Sequence, residues 1–168
     1  MKKMVFDIGF VIYIIITIFV TVCLLAYNDY KVSEFGDVSL VVLKEEVGNY
    51  NKKDLLIITK SNIEDLKKGT QVFYYDSKDS KVSINIGTIK EIEKVSDNEY
   101  TLNFKDGSYV SNDYLIGAEE NAINLGFLGN ILGILESKVG YLLIIVLPMF
   151  LTFLYELYAI IKEIRTKK

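Results

Sequence analysis

The chain has 168 residues, 51% of them hydrophobic, and a formal net charge of −3, with one cysteine and no histidine. This composition excludes Ser-His-Asp and Cys-His catalysis, an intramolecular disulfide and a cysteine-based zinc site, because each needs residues that the chain lacks.

The first predicted element is a membrane-spanning helix at residues 8–27, which carry no charge. At about 1.5 Å per residue this helix would be about 30 Å long, the thickness of a bilayer's hydrocarbon core. A cleaved signal peptide would end in a small-x-small site, and the sequence around Ala26 offers none. We therefore expect residues 1–28 to form a retained anchor, in which Cys23 is a packing residue.

A β-rich domain is predicted for residues 29–122. Between residues 28 and 140 the chain has 13 lysines and 19 Asp or Glu residues, a net charge of −6. An acidic domain binds phosphate groups poorly, so we expect no nucleic-acid partner. Short apolar runs separated by polar turns predict an antiparallel sheet or small barrel. The predicted strands are 38–44, 54–60, 70–75, 81–94 and 99–104.

Turn residues mark the connections between these strands. Asp97-Asn98 and Asp106-Gly107 predict tight hairpins, because Asn, Asp and Gly accept positive φ angles. Ser61 followed by Glu64 matches a capping box, which predicts a short helical turn at residues 65–69.

The segment 123–140 is predicted to be an amphipathic helix lying at the membrane interface. Leu128, Ile131, Leu132 and Leu135 recur at helical spacing. Gly129-x-x-x-Gly133 leaves a second possibility open, a close-packed helix pair.

A second membrane-spanning helix is predicted at residues 141–161. Pro148 and Glu156 interrupt it, and both are tolerated where neighbours satisfy the backbone and the carboxyl reaches an interface. Basic residues mark the cytoplasmic side of a membrane, and they flank both spans, at positions 2, 3, 162, 165, 167 and 168. We therefore expect a two-pass cell-membrane protein with both termini cytoplasmic, a basic tail within residues 141–168 and an extracytoplasmic central domain.

No motif for a cofactor is present. The sequence contains no phosphate-binding loop, no dinucleotide-binding glycine motif and no H-E-x-x-H zinc motif, so we expect neither cofactor nor metal. The acidic pairs Glu45-Glu46 and Glu119-Glu120 are interpreted as solvated turn residues.

Five short segments follow one another in an order that can be compared with that of a known protein family. They are Asp54-Leu55-Leu56-Ile57-Ile58, Glu64-Asp65-Leu66-Lys67-Lys68-Gly69-Thr70, Ile86-Gly87-Thr88-Ile89-Lys90-Glu91-Ile92, Tyr114-Leu115-Ile116-Gly117 and Leu154-Tyr155-Glu156-Leu157. From about residue 41 to 161, this order resembles the type I signal peptidases of the archaeal, endoplasmic-reticulum and spore-forming-bacterium branch. The resemblance implies a mainly β fold, a signal-peptidase-like antiparallel β domain between two transmembrane helices.

The same resemblance implies that catalysis is lost. The family's nucleophilic serine falls at Glu45 and its general base at Gly87, and neither residue can do that chemistry. Only Asp106 and Asp113 remain as candidates for the family's acidic region. The strands expected to line the substrate groove contribute Leu40, Val42, Lys44, Ser83, Asn85 and Gly87.

Three functions remain open at this point. The first is an inactive protein that holds exported or surface-assembled precursors, or signal-peptide-like segments, beside the bilayer, with a secretion or assembly complex as a further partner. The second is a working Ser/Lys peptidase with Ser39 as nucleophile and Lys44 or Lys90 as base. The third is a structural subunit of an envelope complex.

Overall fold

The computed structural model describes residues 2–78 and 81–166, with side chains for 8–76 and 82–166. Lys167 and Lys168 of the predicted basic tail lie outside the described residues. The chain forms two compact units, of which Val22–Ile131 is one and the two ends of the chain are the other. Both ends are helical and the middle is mainly β, as the sequence predicts.

The N-terminal helix runs from Lys2 to Leu25 and the C-terminal helix from Lys138 to Thr166. Each is long and apolar enough to cross a membrane, which is compatible with a two-pass membrane protein. The C-terminal helix is π-helical from Tyr141 to Val146 and α-helical from Leu147 to Thr166.

The unit Val22–Ile131 contains two antiparallel sheets. The first sheet has the order β1-β2-β3-β9 and the second the order β7-β6-β5-β4-β8. The strands are β1 (Ser33–Phe35), β2 (Val38–Val42), β3 (Leu55–Thr59), β4 (Gln71–Lys78), β5 (Lys81–Lys94), β6 (Tyr100–Phe104), β7 (Tyr109–Ser111), β8 (Leu115–Ala118) and β9 (Ala122–Asn124).

Alternate side chains of the second sheet point to opposite faces and contribute to two buried apolar clusters. The larger cluster lies between the sheets and includes Val41, Leu56 and Ile58 from the first, with Phe73 and Tyr75 from β4. The other cluster takes the opposite faces of β4 and β5. It includes Val72, Tyr74, Ile89, Leu102 and Phe104.

Both predicted hairpin turns are present, between β5 and β6 and between β6 and β7. The predicted capping box is wrong. Ser61 Oγ accepts hydrogen bonds from the Ala118 N–H at 2.9 Å and from Asn121 Nδ2 at 3.2 Å instead of capping a helix. The short 3-10 helix there is Ile63–Asp65, two residues before the predicted turn. A separate short helix, Leu128–Leu135, lies within the predicted interfacial segment.

Candidate functional site

A pocket of about 30 Å³ opens beside the C-terminal end of β2 and the first half of β5. Three segments line it, residues 30–32, 42–45 and 82–84, together with Val47 and Tyr75. Most of its lining residues are aliphatic or aromatic, while Lys31, Lys44 and Glu45 are exposed around it. The site is therefore an apolar slot with both signs of charge at its mouth.

One edge of β5 is open beside this pocket. β4 pairs with β5 from Lys81 to Thr88, whereas β6 begins to pair with it only at Ile89. On the open side the Thr88 carbonyl accepts from the Lys105 N–H, and the Ile86 N–H donates to the Asn85 side chain. Because backbone groups of alternate residues point to the same edge, the N–H and C=O of Ile84 also face that side.

The C-terminal end of β2 is open in the same way. The Leu43 N–H donates to the Asp54 carbonyl and the Leu43 carbonyl accepts from the Lys53 N–H, so Leu43 points its backbone groups toward β3. Val42, the preceding residue, therefore points its backbone groups to the other side. On that side β1 covers β2 only from Val38 to Leu40.

The tyrosine wall of the pocket is held by a side-chain network. Tyr30 stacks on Tyr75 with ring centroids 4.2 Å apart. Asn28 Nδ2 donates to the Tyr75 hydroxyl at 2.8 Å, and that hydroxyl donates to Glu34 Oε1 at 3.1 Å. Asn28 Oδ1 accepts from the N–H groups of Tyr30 and Val32, which fixes the loop.

Burial of Tyr75 raises the pKa of its phenol, and the nearby Glu34 carboxylate raises it further, while the hydrogen bond from Asn28 acts in the opposite direction. The phenol therefore stays neutral at neutral pH. It acts as a rigid, hydrogen-bonded wall.

Four of the sequence-predicted residues line the pocket: Val42, Lys44, Glu45 and Ser83. Three groove candidates do not, namely Leu40, Asn85 and Gly87. Leu40 lies where β1 covers β2, opposite Ser33. Asn85 Nδ2 donates to Asp76 Oδ2 at 3.4 Å on the neighbouring strand.

Gly87 is buried, and another side chain occupies the space that a side chain at position 87 would need. A Cβ atom there would lie 2.7–2.9 Å from three ring carbons of Phe104, which belongs to the second apolar cluster. The structure therefore does not bring position 87 to the pocket that Glu45 lines, and no general base fits at that position.

The alternative Ser/Lys pair is not assembled either. Ser39 pairs with Ile58 inside the first sheet and does not line the pocket. Lys44 lies in the bend that follows the end of β2, five residues after Ser39. Lys44 and Lys90 are both exposed, whereas a lysine base needs a desolvated position.

The two acidic candidates are exposed and serve local structure. Asp106 Oδ1 accepts from the N–H of Ser108 at 3.0 Å and from its hydroxyl at 2.7 Å, which shapes the hairpin turn. Asp113 lies in a 3-10 turn whose N-cap is Ser111. Neither residue lines the pocket.

Sequence reasoning missed the contribution of residues 30–32 and of Tyr75. Residues 30–32 form an irregular loop with no motif, and Lys31 has a φ of 61°. The signal that could have identified Tyr75 is the run of aromatic residues at 73–75, in which alternate side chains must face different clusters.

Among the side chains of residues 8–76 and 82–166, no three acidic or cysteine groups gather as metal ligands would. Neither a scan against models of protein families nor searches of the curated proteins and of the solved structures found a match to this chain.

Proposed function

We propose that this chain is a two-span membrane protein that holds an extended segment of an exported precursor in the pocket between β2 and β5, without cutting it. One observation carries the proposal: two open strand edges, at Val42 at the end of β2 and at Val82–Ile84 of β5, line the same pocket. An extended chain can add itself to such an edge through backbone hydrogen bonds, while a side chain in the pocket gives selectivity.

Side-chain chemistry supports binding without cleavage. The chain has no histidine, Glu45 is a poor nucleophile, and Phe104 leaves no room for a base at Gly87. The resemblance to type I signal peptidases supports the kind of ligand proposed, a signal-peptide-like segment.

The proposed location is beside a lipid bilayer, with both termini in the cytoplasm. Support comes from the two apolar helices and from the basic residues at their outer ends. Phe127 and Ile131 of the predicted interfacial segment are 75% and 49% exposed, as expected for side chains that contact lipid.

Photo-cross-linking tests the holding function. A photoreactive residue is placed at Glu45, and a matched one at Glu93, which is exposed on the far half of β5. The full chain in membranes is mixed with labelled exported preproteins of its own cell or with their mature forms. We expect adducts at position 45 with preproteins only, and none at position 93. Equal labelling at the two positions would refute the proposed site.

The same mixtures test whether the protein cuts. Gel analysis of the preproteins should show no trimmed product. A product that disappears after Ser39→Ala would instead establish the Ser/Lys peptidase. Absence of any adduct would leave the structural subunit of an envelope complex as the better description.

A further inference from the structure

The C-terminal helix has more backbone acceptors than donors near its only proline. The last π-type hydrogen bond runs from the Leu147 N–H to the Leu142 carbonyl. In the α-helical part that follows, residue 150 bonds to the carbonyl of residue 146. The carbonyls of Leu143, Ile144 and Ile145 therefore have one helical donor between them, residue 149, because Pro148 has no N–H.

Tyr13 of the N-terminal helix supplies a donor at this point. Its hydroxyl lies 2.8 Å from the Ile145 carbonyl oxygen and 3.1 Å from that of Ile144. Ile145 is buried, at 1% exposure. In the same i→i−4 pattern residue 149 bonds to the Ile145 carbonyl, and the Ile144 carbonyl loses its donor because residue 148 is proline. The phenol thus reaches the Ile144 carbonyl that Pro148 leaves open, and it shares the Ile145 carbonyl.

A second contact between the same helices gives their direction. The Thr21 hydroxyl donates to the Thr17 carbonyl at 2.7 Å, so the Tyr141 hydroxyl donates to Thr21 Oγ1 across 3.0 Å. Residue numbers rise from 13 to 21 on one helix while they fall from 145 to 141 on the other. The two helices are therefore antiparallel at this contact.

We propose that Tyr13 is the positioning residue of this helix pair, replacing the donor that Pro148 lacks and thereby fixing the register of the two spans. An open carbonyl in hydrocarbon is unfavourable because no water can bond it. The tyrosine removes that cost only when the helices are paired in this register. This inference is independent of segment holding by the β domain.

A double-mutant cycle on the full chain in mixed micelles tests the proposal. We expect Tyr13→Phe to raise the unfolding equilibrium constant by roughly three- to 20-fold, the range of interhelical hydrogen bonds in membranes. Pro148→Ala supplies a helical N–H, so the effect of Tyr13→Phe should fall to less than half in that background. Tyr155→Phe is the matched control, because Tyr155 is 69% exposed on the same helix pair.

Two results would overturn the proposal. One is an equal effect of Tyr13→Phe with and without Pro148→Ala, which would mean that the phenol does not compensate for the proline. The other is an effect no larger than that of Tyr155→Phe. Circular dichroism of each variant confirms that the helices remain formed, so a loss of folding is not mistaken for a loss of pairing.

Discussion

At the scale of single residues, Gly87 shows how packing decides which chemistry a position can hold. Its α-hydrogen faces the ring of Phe104, which belongs to the second apolar cluster. Any side chain would have to displace that ring. The position therefore serves packing, and the ring occupies the volume that a catalytic base would need.

We expect Gly87→Ala to destabilise the protein by about 1–3 kcal/mol, since the added methyl overpacks the core. Phe104→Leu removes ring atoms at the point of conflict, so the double variant should lose less stability than the sum of the two single variants. Denaturant titration of all three measures this coupling. Strict additivity would show that the methyl does not meet the Phe104 ring.

Tyr75 predicts a loss of stability at alkaline pH. Burial raises the pKa of its phenol above the unfolded value of about 10. The contribution of the neutral phenol to the free energy of unfolding is complete below the pKa of the unfolded state. It is lost as the pH rises from that pKa toward the higher pKa of the folded state. Above pH 10, each pH unit should lower the free energy of unfolding by about 1.4 kcal/mol for each tyrosine that keeps its proton in the folded state and loses it on unfolding.

Tyr75→Phe should therefore reduce the slope of stability against pH between 9 and 11, measured by denaturant titration at each pH. The slope should not vanish, because the pKa values of Tyr30 and Tyr50 are also raised, mainly by desolvation. Tyr109→Phe is the control, since Tyr109 is 74% exposed. An unchanged slope in Tyr75→Phe would contradict the prediction.

At the scale of elements, the open edge of β5 can be tested through its backbone. Ile84 points its N–H away from β4, whereas Ser83 points its N–H into the ladder with β4, opposite Asp76. Proline removes a donor and is tolerated in a strand only where the N–H is not needed.

We expect Ser83→Pro to cost about 3 kcal/mol or more of stability, because it breaks the ladder. Ile84→Pro should leave a folded domain, shown by circular dichroism, but abolish cross-linking from position 45 to preproteins. Ile84→Ala separates the backbone effect from the loss of the side chain, and it should retain cross-linking. Preserved cross-linking in Ile84→Pro would show that the segment does not pair with this edge.

Strand length explains which elements could be predicted from the sequence. β2 to β6 have five or more residues, so their apolar patterns indicated them to within three residues at each end. β1, β7, β8 and β9 have three or four residues, which is too short for a pattern to emerge. They exist because longer neighbours pair with them. Likewise Ser61 bonds to Ala118, a partner 57 residues away that a local motif cannot reveal.

The site was predicted only in part for a related reason. Of the predicted site residues, Val42, Lys44, Glu45 and Ser83 line the pocket, Val42 and Ser83 from β2 and β5 and the other two from the segment after β2. Whether Asn85 and Gly87 also reach it depends on where β6 starts to pair and on how Phe104 packs. Both depend on contacts between residues distant in sequence, and composition and periodicity do not encode them.

At the scale of the whole molecule, the antiparallel contact of the two terminal helices has a consequence for topology. Helices that cross a bilayer antiparallel place the two chain ends on one side, and basic residues favour the cytoplasm for that side. For the proposed two-span topology, we therefore expect the acidic β unit, with its excess of Asp and Glu over Lys, to lie on the outer side.

Cysteine accessibility in intact cells tests this arrangement. Ser96→Cys, in the exposed hairpin between β5 and β6, should react with a membrane-impermeant maleimide before lysis. Thr166→Cys, exposed at the end of the C-terminal helix, should react only after the membrane is permeabilised, because it lies next to the basic flank. The unmodified chain is the blank, since Cys23 is buried. Labelling of Thr166→Cys in intact cells would show that the chain has the opposite orientation. Exported segments would then have no access to the pocket.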